Sequence, residues 1–244
     1  MKTIFIIPFF LFALMCNGQS NEIEIDYDYF ILGTLNDYMG REKYEKIINR
    51  VDEYWENDKS LIYFLDSVSR NKYQDLTITT NKQSGRLELQ SKLLAQKIND
   101  FFTFKPSGRG AYNGEADFNK LNFDSITKTP NFYTTHFDTI YSGEINESIF
   151  KNKTQKSSFI AGAFERFGGK KDSLYYISVA NSASKVRVAT ELLKELKCTN
   201  VEYVMKKKLI PVGHTVYFNP TEELKNYFKN TNKMLRTYAN NSKE

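Results

Sequence analysis

The chain has 244 residues, 41% of them hydrophobic and 26% charged, the proportions of a globular protein, which excludes wholesale disorder. Its net charge of +5, from 34 Lys and Arg against 29 Asp and Glu, is too mild to indicate nucleic acid by itself. Two cysteines exclude a disulfide scaffold or a cysteine-based zinc cluster, and two histidines leave little room for a histidine-rich metal site, so no metal or cofactor is expected.

The chain opens on Lys2, an apolar run from Ile4 to Met15, then Cys16, Asn17, Gly18 and Gln19. A positive charge, an apolar run and a small residue at a polar boundary predict a signal peptide cut after Gly18. The run is shorter than the about 20 residues a membrane span takes, so no transmembrane segment is expected in the mature chain. Acylation of Cys16 is the alternative, but Met15 is bulky where a lipoprotein signal wants a small residue. The expected location is therefore the periplasm or the exterior. The mature chain keeps one thiol, Cys198, read as a small buried residue closing a helix.

Residues 19–104 read as mainly helical. Glu22, Glu24, Asp26 and Asp28 alternate with Ile23, Ile25 and Tyr27 and suggest an edge strand. Tyr44, Ile47, Ile48, Val51, Tyr54 and Trp55 then fall on one helical stripe. Leu61, Phe64, Leu65 and Val68 form the next stripe, and a third helix is predicted from Arg86 to Asp100. Residues 105–114, rich in Gly and Pro, predict a loop.

Residues 115–239 read as α+β. Residues 131–141 alternate as a half-buried strand, and Leu174 to Ala180 reads as a central one. A helix follows from Ser184, carrying Ala189, Leu192, Leu193 and Leu196. Val201, Tyr203 and Met205 make a strand, Lys206 to Lys208 a turn, and Val212 to Phe218 a fourth strand. Asn219, Pro220 and Glu222 open a last helix, and residues 240–244 form a frayed tail. No internal repeat is apparent. The expected fold is α+β, a helical N-terminal part packed on an antiparallel or mixed sheet with two covering C-terminal helices.

The segment from Phe159 through Gly162, Glu165, Arg166 and Phe167 to Gly169 resembles the signature helix of LAGLIDADG homing endonucleases, which ends in an acid before glycine. The strand, helix, two strands and helix that follow resemble half of that fold. The resemblance implies a metal-binding acid where this chain has Phe167, leaves Glu165 as the only acid nearby, and asks for one strand that the pattern does not supply. The reading preferred from the residues is a helix whose Ala161, Gly162 and Ala163 allow close packing.

Among site candidates, His214 shares strand parity with Val212, Val216 and Phe218 and is expected to point inward. His136 and Asp138 lie on one strand face, about 6.5–7 Å apart at Cα, the minimum pair for general-base work. Binding candidates are Arg109 and Tyr112 in the Gly-rich segment and Lys206, Lys207 and Lys208 in their turn. Tyrosine suits interfaces because its ring buries area while its hydroxyl finds a partner. The function expected from sequence is an exported, non-enzymatic binding protein, an immunity or inhibitor protein with a protein partner and no nucleic acid. The alternative is a small exported hydrolase using His136 and Asp138.

Overall fold

The computed structural model describes residues 23–38, 40–44, 50–81, 84–112 and 136–241. The signal-peptide expectation falls on residues outside this set. The elements run α1 (Tyr27–Thr34), β1 (Arg41–Tyr44), β2 (Arg50–Tyr54), α2 (Lys59–Ser69), β3 (Thr77–Thr80), β4 (Leu87–Gln90) and α3 (Lys92–Asn99). A hairpin follows, β5 (Phe102–Tyr112) with β6 (His136–Ile145). The second half is α4 (Lys153–Phe167), β7 (Gly168–Lys171), β8 (Leu174–Ala180), α5 (Ala183–Glu195), β9 (Thr199–Lys206), β10 (Gly213–Asn219) and α6 (Glu222–Asn241).

The class is α+β with antiparallel sheets. The two halves repeat one order, αββαββα, with the β5–β6 hairpin between them. Sheet order repeats as well: β2-β4-β3 in the first half corresponds to β8-β10-β9 in the second. The halves differ at their first strands, because β7 joins β8 while β1 leaves its own sheet to pair with β6. The expectation of no internal repeat is thus corrected. The strand that seemed missing from the second half is β7, whose sequence Gly-Gly-Lys-Lys carries no apolar alternation.

The first half is not mainly helical. Of the stripe at 44–55, Ile47 and Ile48 lie outside the described residues, while Val51 and Tyr54 are buried, but from strand β2, which carries a register shift between Arg50 and Asp52. A shift of that kind lets residues three apart share a face, imitating helical spacing. The helix predicted at 86–100 is two elements, β4 and α3, divided at Ser91, whose hydroxyl accepts from the Leu94 amide as an N-cap. The acidic alternation at 22–28 is no edge strand, since Asp26 caps α1 by accepting from the Asp28 amide. Residues 105–112, expected as loop, continue β5, with a register shift at Pro106/Gly108 where proline cannot donate to the ladder.

Several other elements fall where expected, while residues 131–135 and 242–244 lie outside the described set and α6 runs on to Asn241. Helix α2 buries Leu61, Phe64 and Leu65, β8 lies between β7 and β10, and α5, β9, β10 and α6 fall where expected. Helix α5 ends with Lys197 at φ 63 and with the Cys198 amide donating to the Leu193 carbonyl, the paired closure that a left-handed residue permits.

The core is organised by α1, buried along nearly all its length, crossing the buried middle of α4 from Ser157 to Ala163. Glycines make the crossing: a Cβ on Gly162 would meet the Phe30 carbonyl, and one on Gly33 would meet the Phe159 carbonyl and the Ala163 nitrogen. Behind the second sheet, Phe164 stacks on Phe228 at 4.1 Å between ring centres, flanked by Tyr175 and Phe218.

Candidate functional site

Helices α1 and α4 end at one place, between the two repeats, beside a cleft of about 830 Å³. Its walls include Asp37, Arg41, Asp52 and Arg86 from the first half and Arg166 and Ala180 from the second. A helix leaves its last carbonyls without intrahelical donors and carries partial negative charge there. In α1 those carbonyls are met by cationic side chains. Arg166 Nη1 donates to the Thr34 carbonyl at 2.6 Å, while Lys185 Nζ donates to those of Gly33, at 3.1 Å, and Leu35.

Both cations are buried and multiply held. Arg166 also donates to Asp52 Oδ2 at 2.5 Å, to the Glu53 carbonyl at 2.5 Å and to Asp58 Oδ2 at 3.3 Å. Its guanidinium lies 4.1 Å from the Tyr54 ring centre. Asp52 additionally accepts from the Asn36 amide at 2.8 Å. Lys185, with no exposed surface, has Asp37 Oδ2 at 3.5 Å and sits 5.1 Å from the Phe167 ring centre. Burial pushes the Lys185 ammonium down and the Asp37 carboxyl up from their ordinary values, each opposed by the other's charge. Arg41, buried beside them, donates to Asn99 Oδ1 and the Val51 carbonyl.

The acid-before-glycine resemblance implies a metal centre here, and these residues do not fit one. Phe167 presents a ring to two cations. Glu165 turns away to α6, where it accepts from Thr231 Oγ1 at 2.6 Å, and burial raises its pKa. Asp37 and Asp52 face Lys185 and Arg166, and the converging carbonyls already have donors. Among the described residues no group of three or more His, Cys, Asp or Glu could hold a metal ion. A divalent cation needs hard oxygen ligands, whereas here two fixed side-chain cations stand at the helix ends.

Two open sheet faces flank the cleft. On the second sheet Ile177, Val179, Val216 and Phe218 are buried, so by alternation Tyr176, Ser178, Thr215 and Tyr217 share the other face. Ser178 and Thr215 hydrogen-bond at 2.9 Å, and the Tyr176 and Tyr217 rings lie 6.1 Å apart. On the first sheet Glu53 pairs with Arg50 and Arg86, and Glu88 accepts from Asn81 and Gln90. Arg86 stacks over the exposed Trp55 at 3.9 Å.

The residues singled out from sequence fall in separate places. Lys206, at the end of β9, and the turn residues Lys207 and Lys208 are exposed, with no ion-pair partner among the described residues. Lys206 is in register with Gly213, which is in register with Ala180 on the cleft wall. The backbones of Arg109 and Tyr112 lie on β5 opposite Thr139 and His136, and Asp138 lies opposite Gly110. The side chains of Arg109, Tyr112, His136 and Asp138 are outside the described set. His214 is buried as expected, its Nδ1 2.7 Å from the Tyr203 hydroxyl.

Arg166 and Lys185 were missed as site residues. Lys185 had a legible signal, since it lies on the apolar stripe of α5 with Val188, Ala189 and Leu192, where a solvated lysine does not belong. The repeat had one too, because Phe-Ile-x-Gly occurs at 30–33 and again at 159–162.

No family model matches the chain, and no curated protein matches it. Solved structures of similar shape do exist. An I-DmoI variant in complex with its target DNA and manganese is 15% identical at a TM-score of 0.47, covering 86% of this chain and 93% of that one. Mesophilic variants of the homing endonuclease I-DmoI are 14% identical at a TM-score of 0.47, covering 86% and 95%. I-DmoI in complex with DNA and calcium is 14% identical at 0.44, covering 82% and 85%. These neighbours are homing endonuclease structures, two of them bound to DNA, where an immunity or inhibitor protein was expected. On that finding, three expectations are withdrawn: an exported non-enzymatic binding protein, a secreted or periplasmic location, and the exclusion of nucleic acid as a partner. Among the described residues no helix is long and apolar enough to cross a membrane.

Proposed function

We propose that the chain binds duplex DNA along the open faces of its sheets, without a metal centre at the helix ends. The observation that carries this reading is the cation distribution around the cleft. Lys206, Lys207 and Lys208 are exposed and, among the described residues, without ion-pair partners, at the cleft end of a sheet face that also carries Lys171 and Glu202 near its other end. The buried cations of the cleft are neutralised internally and hold the helix ends. Exposed lysines on a rigid sheet end release counterions from a phosphate backbone at little ordering cost. A β-ribbon fits the major groove, and β5–β6 supplies one of at least ten residues a side, carrying Arg109 and Tyr112 as further contact candidates.

Anisotropy of a labelled duplex across a salt series tests the reading. The wild type should bind with affinity falling steeply as salt rises. Replacing Lys206, Lys207 and Lys208 together with Glu should weaken binding and flatten the log–log salt slope by up to about 2.7, at roughly 0.9 per phosphate contact. Unchanged binding and slope in that variant would overturn it.

A further inference from the structure

The lysine turn does not end in a polar tip. Leu209, Ile210 and Pro211 follow Lys208, and Leu209 is 53% exposed and Ile210 wholly so. The Leu209 amide donates to the Lys206 carbonyl at 3.2 Å, closing the turn. Leu209 Cδ1 lies 3.5 Å from where a Cβ on Gly213 would be, so Leu209 leans over the end of β10 and Ile210 projects beyond it. Covering a fully exposed isoleucine in a partner's apolar site is favoured by the apolar area it removes from water. Three lysines without ion-pair partners among the described residues stand in the same turn, so an anionic surface is the one that complements both them and Ile210.

From this pairing we propose that Ile210 is a wedge that enters between base pairs of a bound duplex while Lys206, Lys207 and Lys208 hold the flanking phosphates. This rests on the duplex-binding reading and extends it from attraction to deformation. Apolar side chains inserted at a base step unstack it and kink the helix, at least cost at pyrimidine–purine steps. The tip suits that role by its size, one projecting side chain with a second behind it. A lipid surface is also anionic, but two aliphatic side chains and three lysines give only weak, reversible attachment. The tip also continues a sheet face bordering a concave cleft, which suits a rod better than a plane.

The experiment uses the full chain and a duplex with 2-aminopurine beside a central TA step, whose fluorescence rises on unstacking, with bending read by end-to-end energy transfer. The wild type should raise the fluorescence and shorten the end-to-end distance. Ile210→Ser, an exposed change that leaves the melting temperature alone, should bind about fivefold to tenfold more weakly with the fluorescence rise lost. Ile210→Met should restore it. If Ile210→Ser binds and unstacks like the wild type, the wedge is overturned while duplex binding stands. If the wild type binds no duplex, the underlying reading has failed and the wedge with it. If phosphatidylserine vesicles pull down the chain in an Ile210-dependent way while duplex binding ignores Ile210, the tip belongs to a membrane surface and the proposal is wrong.

Discussion

Replacing Gly162 with Ala tests the packing on which the cleft depends. Alanine is the better helix former by about 1 kcal/mol, so on a free helix the change would stabilise. In α4 the added Cβ would stand 2.9 Å from the Phe30 carbonyl carbon and closer still to its oxygen. Ordinary carbon contacts lie at about 3.5–4.0 Å, so the two helices must part by most of an ångström. The obstacle is main chain, which no rotamer change removes. Phe30, Ile31, Phe159 and Ile160, all with no exposed surface, lie along that seam. A gap of 0.5–1 Å forfeits about a quarter to a half of each dispersion contact, and overpacking costs about 1–3 kcal/mol. With backbone on the opposing side, the upper end applies, and the helical gain offsets only part of it. The net expectation is a loss of about 2 kcal/mol, read as a lower denaturant midpoint at unchanged slope. Gly33→Ala should behave alike, since its Cβ meets the Phe159 carbonyl. A midpoint that rises for either variant would refute the close crossing.

Arg166→Met should cost about 3–5 kcal/mol, because it strands Asp52 and the Thr34 carbonyl without their donor in a buried site; an unchanged thermal midpoint would refute the network. Glu165 supplies a pH dependence. Its folded pKa lies above the ordinary 4.5 because burial disfavours the carboxylate, so its contribution is fully present below the unfolded value and is lost as pH rises through the folded one. Unfolding measured across pH 4 to 8 should therefore show the wild type losing ground to Glu165→Gln as pH rises, and a constant difference would contradict that sign. Cys198, half-buried with its thiol pushed up by burial, should resist iodoacetamide at neutral pH in the native protein and react once unfolded, as read by peptide mass mapping.

The second half of the chain was the more legible. Residues 174–180 alternate around buried Ile177 and Val179, the α5 stripe is apolar except for Lys185, and Asn219-Pro220 opens α6. The first half hid its strands because they are short. Four residues, as in β3 or β4, give too little alternation to outweigh the helical spacing that β2 imitates across its register shift. The site was harder still. Arg166 and Lys185 belong to one half yet cap the end of α1 in the other, and partners more than 110 residues apart leave no local pattern beyond the misplaced lysine on the α5 stripe. The exposure of the lysine turn was visible from sequence, because a turn residue needs no distant partner to be where it is.

The most direct measurement is equilibrium binding of a fluorescent duplex to the purified chain in EDTA and again with magnesium, with the strands then run on a denaturing gel. Saturable binding in EDTA, unaltered by magnesium and leaving the strands intact, is the result this account predicts. Binding that requires magnesium, magnesium-dependent strand scission, or no binding at about 50 mM salt, where phosphate contacts are strong, would contradict it.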